Sequence, residues 1–103
     1  MNMKMLVILT RGALEFQLED VFIANGVKGY TTFHSVEGAG ETGATPSPFY
    51  WPGLNVLTFV VLPTEKAERL VHDLKSLHKR KLQDTHERPI PFKVFSLPCE
   101  EEL

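Results

Sequence analysis

Leu54 to Leu62 carries apolar side chains on both alternations of an extended chain, broken only by Asn55 and Thr58. A strand of that kind lies inside a sheet and is covered on both faces. One cover is at hand in the sequence. Pro63-Thr64 opens a helix, with Thr64 as the predicted N-cap and Glu65 placed well against the helix dipole. Ala67, Leu70, Val71, Leu74 and Leu77 then form one apolar stripe, and the helix frays into His78-Lys79-Arg80-Lys81. The second face of Leu54–Leu62 needs another cover, and a second copy of the same sheet meets that need.

The first part of the chain has the same order. Met3–Thr10 reads as a covered strand, and Arg11-Gly12 ends it. Leu14, Leu18, Val21 and Phe22 give a helical stripe, with Asn25-Gly26 as its C-terminal stop. Val27–Val36 is rich in β-branched and aromatic residues and reads as a strand, with Tyr30, Thr32, His34 and Val36 sharing one side. Gln83–Arg88 is a polar connection after the second helix. Phe92–Leu97 is the last strand, Pro98 its stop, and Cys99–Leu103 an acidic tail. The order β-α-β, loop, β-α-β predicts a single α+β domain over residues 1–103. It takes the ferredoxin-like βαββαβ form, a four-stranded antiparallel sheet with two helices on one face.

Between the halves lies Glu37–Gly53, about 17 residues long, and loops of that length in compact domains are functional or disordered. Gly38, Gly40 and Gly43 with Pro46 and Pro48 forbid a stable helix or central strand there. Gly38-Ala39-Gly40 allows backbone amides to approach an anion. Phe49-Tyr50-Trp51 either packs over the loop base or anchors a partner, aromatic residues being common hot spots. His78, Lys79, Arg80, Lys81 and Arg88 are cations able to neutralise a phosphate, or else form a solvated helix end.

Charge and cysteine content narrow the classes. Eleven Lys and Arg against 13 Asp and Glu give a net charge of −2, which argues against a nucleic-acid partner. One cysteine, Cys99, cannot form an internal disulfide, and a reducing, cytoplasmic setting follows as the expectation. No signal peptide or membrane helix is expected from Met3–Thr10, which is short and contains Lys4. His34, His72, His78 and His86 lack metal-ligand spacing, and no nucleophile or phosphate-loop motif stands out.

Gly26-Val27-Lys28-Gly29-Tyr30-Thr31, continuing through Val36-Glu37-Gly38-Ala39-Gly40, resembles the PII signalling family. The family pattern is roughly G-V-x-G-x-T-x-x-x-V-x-G-x-G, followed by a long mobile loop called the T-loop. The resemblance implies a homotrimer, not an enzyme, whose clefts between subunits bind an adenine nucleotide (AMP, ADP or ATP). Its ligand-binding positions here are Gly29, Thr31, Gly38, Ala39 and Gly40, with Lys79, Arg80 and Arg88 as phosphate-neutralising candidates. The T-loop-like segment 37–53, through Phe49, Tyr50 and Trp51, then addresses a target protein such as a membrane transporter or metabolic enzyme. The family's G-x-x-G-D-G-K-x-F phosphate cradle is missing, and Leu77–Pro89 stands in its place. The family's loop glutamine aligns best with Thr42. These departures make the chain a divergent PII-like protein. A CutA-like metal-binding trimer is the alternative, and an acylphosphatase-like enzyme using Arg11 is a more distant one.

Overall fold

Residues 2–37, 55–84 and 92–103 are described by a computed structural model. Strand β1 (Met3–Arg11) leads through a 3-10 turn (Gly12–Leu14) into helix α1 (Glu15–Ala24) and strand β2 (Thr31–Val36). Strand β3 (Asn55–Pro63), helix α2 (Thr64–Asp84) and strand β4 (Phe92–Cys99) follow. The strands form one antiparallel sheet in the order β2-β3-β1-β4, with both helices on one side. This is the expected ferredoxin-like arrangement.

The alternation along β1 sorts its side chains. Leu6, Ile8 and Thr10 are fully buried, while the residues between them are half-buried. From β3, Val60 and Leu62 join Leu6 and Ile8 against Leu18, Phe22, Ala67, Leu70 and Leu74. The two helical stripes read from the sequence are therefore the ones that close the core. Among the described residues, no helix is long and apolar enough to cross a membrane.

Four boundaries differ from expectation, each for a local reason. Helix α1 ends on Gly26 at φ +67°, with Gly26 N–H donating to Ile23 O and Val27 N–H to Phe22 O. That pair of bonds is a Schellman cap, in which an apolar residue after the glycine folds back on the helix. Val27 is buried in the core cluster with Phe22, so its apolar character serves the cap and β2 starts only at Thr31. Pro98 does not stop β4, which runs to Cys99 with Pro98 opposite Lys4. An edge strand tolerates proline because one side of its backbone needs no partner. Thr64 is the first residue of α2 rather than the residue before it, and its N–H donates to Asn2 O at 3.1 Å. Helix α2 itself continues to Asp84, beyond the start of the polar connection expected at Gln83.

A fifth departure lies within β2. Phe33 pairs with Leu57 and Val36 with Asn55, so three steps on β2 face two on β3. This is a bulge of one extra residue, and Ser35 within it has φ +60°. Side-chain alternation shifts across the bulge. Val36 comes into register with Asn55 and so leaves the side it was expected to share with Thr32. Relative to the pattern quoted above, the chain has one residue more between Thr31 and Val36, and the bulge absorbs it.

Candidate functional site

The side of the sheet away from the helices is apolar. Its side chains form rows across the strands: Phe95, Val7, Phe59 and Thr31 in one, Leu97, Met5 and Val61 in the next. On the other side of the first row, Leu9, Leu57 and Phe33 lie together with the exposed Lys93 at the β4 margin, and Phe33 meets Phe59 edge-on at 5.5 Å between ring centres. Phe33, Val61, Phe95 and Leu97 are exposed. A continuous apolar surface of this extent marks an interaction face. It is the face for which the two-sided apolarity of β3 demands a second cover.

Thr31 ends the central row of that face on the edge strand β2, where it is exposed. Gly29 stands two residues before it, and a Cβ placed there would meet nothing within 4 Å. Among the described residues nothing requires glycine at that position. Behind the sheet, Thr32 and Thr58 hydroxyls are 3.5 Å apart. Thr10 is fully buried, and its hydroxyl lacks a hydrogen-bond partner among the described residues.

The end of β2 is tied to the start of α1. His34 Nε2 and Glu15 Oε1 are 2.5 Å apart, and Glu15 is half-buried. This contact starts from within the bulge and joins the end of β2 to the start of α1. Arg11, Asn55 and Val36 form the last row of the sheet at the same end. None of the Glu15–His34 pairing was read from the sequence. The extra residue between Thr31 and Val36 was the signal that the strand must deform there.

The cations at the end of α2 occupy the other layer. Arg80 and Lys81 line the outer groove between α2 and α1, Lys79 is exposed, and His78 packs against Phe92 at 5.6 Å between rings. Within one chain, Lys79 and Arg80 are on the helical side and Thr31 is on the opposite face. Gly38, Ala39, Gly40, Arg88, Phe49, Tyr50 and Trp51, with Thr42 and His86, lie outside the described residues. Among the described residues no three His, Cys, Asp or Glu side chains gather as a metal ion requires.

Residues 3–101 match the family Nitrogen regulatory protein P-II. No curated protein matches the chain. Among solved structures, CPII from Thiomonas intermedia K12 bound to ADP and bicarbonate aligns with TM-score 0.72 and 20% identity, over 96% of this chain and 87% of that one. The same protein bound to ADP, AMP and bicarbonate gives TM-score 0.68 and 18% identity, over 100% and 98%. The B. subtilis GlnK–ATP complex gives 0.69 and 18%, over 95% and 82%. The structural likeness gives the fold, and the match along nearly the whole chain gives the lineage: this chain belongs to the P-II nitrogen regulatory family.

Proposed function

We propose that three copies of the chain associate through their open sheet faces and bind an adenine nucleotide in each cleft between neighbours. The observation that carries this reading is the apolar face whose central row ends in Thr31. Burying that face in an assembly brings the β2 edge, with Gly29 and Thr31, to the seam between two chains. CPII is described with ADP, AMP and bicarbonate and GlnK with ATP, which makes adenine nucleotides the first ligands to test. Thr31 donates or accepts a hydrogen bond at the seam, and open space at Gly29 admits the ligand. Gly38, Ala39 and Gly40 present backbone amides, while Lys79, Arg80 and Arg88 neutralise phosphate charge where the family's glycine-rich cradle is missing.

Residues 37–53 form the T-loop-like segment of this single domain, and Phe49, Tyr50 and Trp51 contact a target protein. Ligand occupancy changes that contact only if the ligand binds one loop arrangement more tightly than another. The protein acts by binding and not by turnover, and it works in the cytoplasm on a transporter or metabolic enzyme.

Calorimetric titration of the purified protein with AMP, ADP and ATP tests the ligand. Saturable binding by at least one, weakened about tenfold in Thr31→Val as the loss of one hydrogen bond implies, is expected. Absence of binding by all three at millimolar concentration overturns it.

A further inference from the structure

The start of β4 is a basic edge on both sides of the sheet. Lys93 is exposed at the margin of the open face, at the end of the row formed by Leu9, Leu57 and Phe33. On the helical side of the same strand, Lys75 and His78 line a cleft of 210 Å³ between α2 and β4, and no carboxylate is among its described walls. His78 packs on Phe92, the residue before Lys93. Farther back along α2, Glu68 lies 3.9 Å from Lys4. When the apolar face is covered, a lysine at its margin must keep its ammonium in water or meet an anion, because an unpaired buried charge is costly.

We infer that Lys93 of one chain neutralises the phosphates of a nucleotide held at Gly29 and Thr31 of the next. The inference rests on the trimeric nucleotide-binding reading and adds to it a residue that neither the sequence pattern nor the helix-end cations supply. Three sheets closed into a ring meet edge to edge. Each sheet has one β2 edge and one β4 edge, so every seam of a cyclic assembly joins β2 of one chain to β4 of its neighbour. Rotation about the axis moves nothing along it. With strands running along that axis, Lys93 stands level with Phe33 across the seam and one row from Thr31. One row is two residues, about 7 Å of strand, within the swing of a four-carbon stem. Two charges flank the β2 edge, and both are exposed: Lys28 before Gly29, and Glu37 after Val36. Lys28 adds to the pull on an anion. Glu37 is the competing partner for Lys93, on the far side of Phe33 from Thr31.

The test is calorimetric titration of the full-length protein with adenosine, AMP and ADP, beside native mass spectrometry. Lys93 is exposed in the single chain, so its variants keep the fold. Lys93→Met is expected to weaken ADP at least tenfold, as the loss of a charge-assisted hydrogen bond implies, to leave adenosine unchanged, and to keep the parent's assembly mass. Lys93→Arg restores ADP affinity. Trimers reassembled from equal amounts of Lys93→Met and Thr31→Val chains regain about one parent-like site in four, because a site then draws Lys93 and Thr31 from different chains. Parent-like ADP affinity in Lys93→Met, with the parent protein binding ADP, overturns this inference and leaves the nucleotide reading standing. A parent protein that binds no adenine nucleotide overturns both. Mixed trimers that regain no sites overturn the assignment across the seam. Loss of assembly mass in Lys93→Met, matched by Glu37→Gln, overturns the inference in favour of an ion pair between chains.

Discussion

Gly26, Ser35 and Thr10 each hold a conformation or an environment that their side chains do not favour equally. At φ +67° Gly26 needs the left-handed region, but an added Cβ would meet only the end of Lys66, at 3.5 Å. Gly26→Ala therefore costs the backbone term alone, about 1–2 kcal/mol, measurable as a lower urea midpoint. Ser35 adopts φ +60° without being glycine. Ser35→Gly relieves about 1 kcal/mol of local strain and gives back part of it in unfolded-chain entropy. A small rise in thermal midpoint is expected, and a fall would mean that the serine side chain contributes more than the strain costs. Thr10 is fully buried, and its hydroxyl has no partner among the described residues. Thr10→Val keeps the shape and removes the desolvated group, so stability rises by about 1 kcal/mol. Of these three, only Gly26 was legible in the sequence, because Asn25-Gly26 after a helical stripe has a direct conformational meaning. A serine in the left-handed region leaves no trace in composition, and a buried threonine reads like any strand threonine.

At the scale of the elements, the long periodic segments were legible and their ends were not. Ala67, Leu70, Leu74 and Leu77 of the second helical stripe and Leu14, Leu18 and Phe22 of the first are buried as their spacing implies, while Val71 and Val21 are half-buried at the stripe edges. Val27 was misread because a cap contact and a strand residue both ask for a β-branched apolar side chain. Pro98 was misread because its cost depends on whether the strand is at an edge, which is a property of the sheet and not of the segment. Contacts between elements were likewise hidden. Asn25 Nδ2 donates to Val21 O at 2.9 Å and to Asp73 Oδ2 at 2.8 Å, joining the end of α1 to α2. Asn25→Ala leaves that half-buried carboxylate with one donor fewer and destabilises the fold by about 1–2 kcal/mol, read by denaturant unfolding. The nearby Lys66 bond to Gly26 O, at 2.8 Å and exposed, contributes less.

For the whole molecule, the decisive feature is a sheet with one face on its helices and the other apolar and open. The need for that second cover was visible in Leu54–Leu62, since both alternations of a strand cannot be apolar without two covers. Which residues would stand at its margin was not visible, because register across strands decides that Thr31 shares a row with Phe59 and Val7. The separation of Lys79 and Arg80 from Thr31 by the thickness of the sheet was equally hidden. Sequence proximity says nothing about layers. A charge in the middle of the face separates assembly from folding. Val7→Glu leaves the helix-side core intact and is expected to yield a folded monomer, seen as unchanged helical circular dichroism with a reduced sedimentation coefficient.

Native mass spectrometry of the unmodified protein with ADP joins assembly and ligand in one measurement. A species of three 11.7 kDa chains carrying up to three nucleotides is expected, with bound nucleotide lost when Val7→Glu breaks the assembly. A monomer, or a trimer that takes up no nucleotide at millimolar ADP, would contradict it.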